Sequence, residues 1–271
     1  MGTGKSTQDI SGKVNERWPV RNKSMTPQQT IDYWYKWHRF QKRYEAMYTP
    51  VIYKALRKQI KQFEETGTTL AINSDPIFEA LYNLYITAGP VWAAYSNSLL
   101  PRRKARMPMG FSEKIVSLMQ SAFSYILRIA ENITAKTKEI ITRILSEAAQ
   151  SGASFSDIVR EIESTTELGK VRARLIARTE VLGAANYAAY ENAKSLGIEL
   201  NKTWVAAKDK RTRRTPRDQF DHLHMDGVTI GLFDKFTVSG EIMEYPGDGT
   251  HASAGNICNC RCVAAYLPVG G

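Results

Sequence analysis

Residues 168–209 read LGKVRARLIARTEVLGAANYAAYENAKSLGIELNKTWVAAKD, and a change of texture inside this stretch decides the fold. The run is helical from near Leu168 to about Leu196, where Gly197 ends it, since a glycine just past the last turn accepts the left-handed conformation that terminates a helix. Trp204 and Val205 then open an extended segment. Downstream, Gly227, Gly231, Gly240, Gly247, Gly249 and Gly255 punctuate short apolar stretches at 228–230, 236–238 and 263–267. Apolar runs of that length between turn residues read as short strands. The expected fold class is α+β: long helices through about residue 200, then a small glycine-rich α+β module with short strands.

Upstream, the pattern stays helical. Ser154 caps a short helix carrying Phe155, Ile158, Val159 and Ile162. Before it, Ser112 and Glu113 start a very long one, near 112–150. Its apolar positions, from Ile115 through Ile126, Ile133 and Ile144 to Ala148, keep a period of 3.5 to 3.6, and no proline or glycine interrupts before Gly152. If continuous it spans on the order of 55 Å at 1.5 Å per residue, enough to bridge domains or to present one face to packed partners. Thr26-Pro27 caps the first helix. Pro50 is expected to start a second, which Gly67 stops, and Asp75-Pro76 a third, which Gly89-Pro90 breaks or kinks.

These signals divide the chain into a flexible basic arm (1–25), a helical N-terminal region (26–100), a basic linker (101–110), a long-helix region (111–200) and a small α+β module (201–271). The 271 residues bury a core without disulfides. The three cysteines all lie between 258 and 262 and make no disulfide framework. The composition excludes wholesale disorder. No apolar run reaches the ~18 residues of a membrane helix, and MGTGKSTQDISGKVNERWPV has no apolar signal core. Folding in a reducing cytoplasm is the expectation.

The net charge of +10 is uneven. Residues 1–60 carry twelve Lys/Arg against four Asp/Glu, and residues 101–110 add four more cations, Arg102, Arg103, Lys104 and Arg106, which read as a charged linker or as contacts to DNA phosphate or an acidic partner. Lys36, Arg39, Lys42 and Arg43 lie among the aromatics Tyr33, Trp34, Tyr35, Trp37, Phe40 and Tyr44. Interleaved cations and aromatics suit nucleic acid. Helical periodicity alone explains the aromatics as the buried stripe of an amphipathic helix that wets its basic face. The near-N-terminal Gly-Thr-Gly-Lys-Ser-Thr lacks the first glycine and preceding strand of a phosphate-binding loop.

Four clusters in the last hundred residues carry the strongest signal: Arg172-Ala-Arg-Leu-Ile-Ala-Arg178-Thr179-Glu180; Trp204 to Asp209 with Arg211-Thr212-Arg213, followed by His222, His224, Asp226 and Gly227; Tyr245-Pro246-Gly247-Asp248; and Asn259-Cys260-Arg261-Cys262. In order and spacing they resemble the minor head proteins of tailed bacteriophages, the Mu F-like head morphogenesis family, over roughly residues 110–267. Thr215 to Asp218 intervene before the histidines, and Cys258 is an addition to the usual cysteine pair. The resemblance implies a head-morphogenesis-like domain over 111–271 and a virion protein of the capsid interior or portal vertex, assembled in the host cytoplasm. Its implied partners are the portal protein, other head proteins and packaged double-stranded DNA, in packaging or ejection, with no membrane and no catalytic role. The alternative is an effector enzyme, nuclease or ADP-ribosyltransferase, attached to a head module; His38, Arg39 and Glu45 offer a candidate acid/base set.

Read bottom-up, Asp209 suits a bidentate arginine, Pro246-Gly247-Asp248 supplies turn chemistry, and the motif residues serve as a buried polar scaffold. Cys258, Cys260 and Cys262 alternate, so on a strand they face one side. With His222, His224 or His251 they offer tetrahedral zinc donors, although C-x-C spacing is atypical of zinc sites. The other reading is small buried hydrophobes, with no cofactor.

Overall fold

Thr26 accepts a hydrogen bond from the Gln29 amide, and the Gln29 side chain accepts one from the Thr26 amide. This reciprocal cap, with Pro27 at the first helical position, starts helix α1 (Pro27–Thr66), which Gly67 ends at φ +69°. The computed structural model describes residues 25–97, 100, 113, 117 and 122–269. The arm before residue 25 and the basic loop with Arg102, Arg103, Lys104 and Arg106 lie outside the described residues.

The second helix expected from Pro50 does not begin there: α1 runs straight through it. Proline removes one N–H and crowds the preceding turn. That cost is local, whereas Tyr48, Ile52, Ala55, Leu56 and Ile60 are all buried along this part of the helix, each large side chain contributing about 1.5–3 kcal/mol. Helix α2 (Asp75–Asn97) likewise continues through Gly89-Pro90, with Ala88, Gly89, Trp92 and Ala93 buried there. Tertiary packing overrides the local breaker in both helices.

The single long helix expected from Ser112 is shorter than that: helix α3 (Phe123–Ser151) begins after a turn at Ala122, takes the later part of the long apolar pattern and ends at Gly152, φ +70°. Glu113 and Ser117 are helical and Ala122 lies in a turn, while Ser112 lies outside the described residues. The α3 stripe Ile126, Ala130, Ile140, Ile141 and Ile144 is buried within the chain itself. Ser154 caps α4 (Phe155–Ser164), and a 3-10 turn (Thr166–Leu168) leads to α5 (Lys170–Ser195).

Helix α5 is the centre of the molecule. Its alanines 173, 177, 184, 185, 188, 189 and 193 are buried, so neighbours approach its backbone from several sides. One core joins Tyr33 and Trp37 of α1 and Trp92 of α2 to Leu182 and Ala189 of α5 and to Trp204, Phe236 and Val263 beyond it. A second packs α1, α2, α3 and α5 together. A third closes the far end around Phe63, Ile141, Ile144 and Ile162.

After α5 come strand β1 (Leu200–Val205), β2 (Thr229–Gly231), the hairpin β3 (Phe236–Val238) and β4 (Glu241–Met243), the one-turn helix α6 (Ala254–Ile257), and β5 (Val263–Pro268). Strand β1 is central, antiparallel to both β2 and β5. Trp204 lies opposite Ala264, and Thr203 opposite both Thr229 and Ala265. All six residues of β1 are buried, because helices cover the face that a small sheet would otherwise expose.

Candidate functional site

The segment Asn259–Cys262 is the hub, and it makes no strand of its own. Its backbone polar groups are met by side chains from two helices. From α1, Trp37 Nε1–H donates to the Arg261 carbonyl at 3.0 Å and Gln41 Nε2–H to the Cys260 carbonyl at 3.3 Å. Just beyond, the Tyr33 hydroxyl donates to the Ala264 carbonyl at 2.9 Å. From α5, the Thr179 hydroxyl accepts from the Asn259 amide at 3.0 Å. Asn186 accepts from the Ala264 amide at 3.1 Å and donates to the Pro246 carbonyl at 3.0 Å. Buried carbonyls and amides need such partners, so these five side chains fix where the segment runs.

Arg178 completes the hold. Its guanidinium donates to Asn259 Oδ1 at 2.5 Å and grips both oxygens of Glu45. Arg174 adds a third bond to Glu45, at 2.6 Å. Burial pushes the Glu45 carboxyl up, but the two arginines outweigh that and hold it below the usual range. Asn259 sits at φ +59°, a left-handed turn that Asn tolerates.

Arg261 points the other way and grips Asp209 with two hydrogen bonds, one of them Nη2 to Oδ1 at 2.6 Å. The Arg261 guanidinium and the Arg211 amide hold the Asp209 carboxyl well below the ordinary carboxylate range. Arg213 donates to the carbonyls of Asn256 and Cys258, and Thr212 closes the turn on Asp209. The Arg211 side chain is exposed.

His222 is buried and reaches three groups. Its Nδ1 lies 3.4 Å from Cys260 Sγ and 3.6 Å from Cys262 Sγ, and its Nε2 lies 2.7 Å from Asn256 Oδ1. Trp204 meets the imidazole edge-on at 5.7 Å. These donor atoms of His222, Cys260 and Cys262 lie within 4.8 Å of one another. Cys258 faces elsewhere, its thiol pushed up by burial, and His224 is exposed; neither joins the cluster. His251 instead donates to Asp248 at 2.8 Å.

The remaining motif residues hold a second corner. Asp248 is buried and accepts from the Glu244 and Thr250 amides. Gly247 at φ +85° lets the Tyr245–Asp248 turn approach α5, where a Cβ would lie 2.7 Å from a methyl of Leu182. Gly227 takes φ +81° in the turn that pairs its amide with the Trp204 carbonyl. Glu180 faces away from Arg178, as its spacing predicts, and accepts from the Tyr85 hydroxyl at 3.0 Å. Burial pushes its carboxyl up to about 7.

Lys36, Arg39, Lys42 and Arg43 are exposed on α1. Tyr33, Trp37 and Tyr44 beside them are buried, so these three rings belong to the core and are not a stacking platform for bases. The candidate acid/base set is not assembled either. His38 stacks on Trp34, while Glu45 is taken up by Arg174 and Arg178.

This geometry frames the comparisons with known proteins. Residues 139–265 match the family described as Phage Mu protein F like protein. They are a Mu F-like segment. The chain is 25% identical over 245 residues to the minor head protein GP7 of Bacillus phage SPP1, covering 84% of this chain and 74% of that protein. It is 33% identical over 156 residues to a protein of Enterococcus faecalis named NAD(+)–arginine ADP-ribosyltransferase EFV, covering 56% of this chain and 29% of that protein. Over 138 residues it is 29% identical to the uncharacterized protein YqbB of Bacillus subtilis, 50% of this chain and 44% of that one. The chain thus spans less than half the length of these last two relatives. No solved structure matches.

The Mu F-like segment contains the Arg178, Asp209, His222 and Cys260 networks but not their α1 partners. Tyr33, Trp37, Gln41 and Glu45 lie outside residues 139–265. The clue to two of them was in the sequence: Gln41 and Glu45 are polar residues on the same helical stripe as Trp37, Tyr48 and Ile52. Lys202 was also missed. It is buried, donates to the Glu244 carbonyl at 2.7 Å and lies over the Tyr190 ring at 4.7 Å, and burial pulls its ammonium down to about 8.

Proposed function

We propose that this chain is a minor head protein of a tailed phage with a structural, non-catalytic role in head morphogenesis. In this reading it resides in the virion, in the capsid interior at the portal vertex, after assembly in the host cytoplasm. It contacts the portal protein and other head proteins, and it supports genome packaging or ejection through basic contacts to double-stranded DNA. The observation that carries the reading is the match to the SPP1 minor head protein, which extends over 84% of this chain and includes most of the helical region before the Mu F-like segment.

The side-chain chemistry supports a structural role. Arg178, Asp209, Arg213, Asp248 and Arg261 are engaged with other groups of the chain. A hydrogen-bonded polar network of this kind specifies one arrangement of the elements it joins. It fixes α1, α5 and the strands relative to one another and leaves Lys36, Arg39, Lys42 and Arg43 exposed to a partner. No described helix is long and apolar enough to cross a membrane.

The test is quantitative mass spectrometry of purified virions, with the portal protein as internal standard. The expected result is a stoichiometry within a few-fold of the portal. Abundance in infected cells with absence from virions overturns residence at the vertex. The effector-enzyme reading has in its favour the relative named as a transferase, of which this chain matches 29%. Transfer of label from NAD to an arginine substrate by the purified chain would establish it over the structural one.

A further inference from the structure

We infer that His222 Nδ1, Cys260 Sγ and Cys262 Sγ form a three-donor site for a zinc-class ion, with the fourth coordination position supplied by solvent.

The donor spacing fits an ion. With Zn–S of about 2.3 Å and Zn–N of about 2.0–2.1 Å, a tetrahedral centre sets its N···S edges near ~3.5 Å. The two edges here are 3.4 and 3.6 Å.

The imidazole is already in the ligating tautomer. Asn256 Nδ2 donates to Glu241 Oε2 at 3.0 Å and toward the Val238 carbonyl at 3.4 Å. A carboxylate and a carbonyl only accept, so the Asn256 amide is fixed with Oδ1 toward the histidine. That oxygen, 2.7 Å from Nε2, requires the proton on Nε2. In the neutral imidazole Nδ1 then carries the free lone pair, and it faces the two sulfurs. A second-shell acceptor that orients a histidine in this way is the usual partner of a metal-binding imidazole. The Cys262 amide also donates toward Cys260 Sγ at 3.4 Å, a contact that favours thiolate.

Charge and access agree. Two thiolates offset the +2 of the ion, so the buried centre is neutral, and sulfur with imidazole selects zinc-class over calcium- or magnesium-class ions. The two thiol protons pass to the buffer on binding. Among the described residues no fourth His, Cys, Asp or Glu donor joins the cluster. The three donors line a cavity of about 190 Å³ with Thr212, Arg213 and Asp218, large enough to hold water. The ion would staple the loop of His222 to the segment entering β5.

The experiment is a Co(II) titration of the full-length reduced protein. One Co(II) per chain is expected, with a thiolate-to-cobalt charge-transfer band that zinc abolishes. Asn256→Ala should weaken binding 10- to 100-fold. Cys260→Ser, Cys262→Ser and His222→Asn should remove the band, whereas Cys258→Ser and His224→Asn should keep it. Because the ligand variants are also core variants, the wild-type chain provides a second readout: zinc, but not magnesium, raises its melting temperature. A folded wild-type chain that gives no charge-transfer band and no zinc-dependent shift overturns the site, as does loss of the band in Cys258→Ser or His224→Asn.

Discussion

Glu45 on α1 and Arg178 on α5 hold each other through two hydrogen bonds of 2.8 Å, although 133 positions separate them. Glu45 is 8% exposed at its side chain and Arg178 15%, so Arg178 without Glu45 would be a poorly solvated charge, and Glu45 without Arg178 would keep only the largely exposed Arg174. Removing one partner of a buried pair costs about 3–5 kcal/mol. Arg178→Ala should therefore lower the urea midpoint strongly. Arg178→Lys should fall between, because an ammonium keeps the charge but cannot fork across both oxygens. The Glu45 carboxyl is held below its ordinary value, so its contribution is present above the usual carboxylate range and lost as pH falls through its folded value. Midpoints unchanged in both variants would mean that the pair holds nothing.

Glu180 gives the opposite pH dependence. Its carboxyl, raised by burial from 4.5 to about 7, stays protonated in the folded chain where the unfolded chain has ionised. The folded state thus binds the extra proton between these values. Stability contributed here is intact below about 4.5 and is lost as pH rises through about 7. The shift corresponds to about 3 kcal/mol at most. Glu180→Gln keeps an acceptor for Tyr85 and cannot ionise, so its melting temperature relative to wild type should climb between pH 5 and pH 8. A difference that stays flat across that range would show that burial does not hold the Glu180 carboxyl protonated.

How much of this was legible beforehand depends on whether the signal was local. The end of α5 at Gly197, the cap at Ser154 and the strands at 236–238 and 263–267 follow from turn and capping chemistry within a few residues, and the sequence shows them. Pro50 misleads as a helix start, and Gly89-Pro90 does not break α2, for the same reason: the local signal is real, but the helices around it are buried on the long-range side. The aromatic stripe of α1 announces burial, yet nothing local says that Trp37 and Gln41 will meet the carbonyls of Arg261 and Cys260. Likewise, the alternation of Cys258, Cys260 and Cys262 suggests a shared face; only the left-handed turn at Asn259 separates the first from the other two.

Asn186 tests whether α5 organises the module. It is fully buried, accepts from the Ala264 amide and donates to the Pro246 carbonyl, so one side chain ties β5 to the Tyr245–Asp248 turn. Asn186→Leu is close in volume but leaves the amide and the carbonyl unsatisfied. At about 1–3 kcal/mol for each orphaned group, the variant should lose several kcal/mol and show faster hydrogen exchange at Ala264. Exchange at Ala264 that stays as slow as in wild type would contradict this role.

The exposed cations of α1 provide the test of the proposed DNA contact. Among the described residues Arg39, Lys42 and Arg43 make no ion pair, and Lys36 lies over the Tyr95 ring at 5.3 Å; all four are exposed, so their ammonium or guanidinium groups are available to phosphate. Phosphate contacts carry no sequence information and release counterions, so log affinity should fall linearly with log salt, by about 0.9 for each contact. Changing Lys36, Arg39, Lys42 and Arg43 together to Gln should flatten that slope by up to about 3–4 while leaving the fold intact, because none of the four is buried. Fluorescence anisotropy with two unrelated duplexes reads both quantities. Wild-type binding that does not weaken with salt, or a slope that the fourfold variant leaves unchanged, would show that this face does not grip DNA and would turn it toward an acidic protein surface instead.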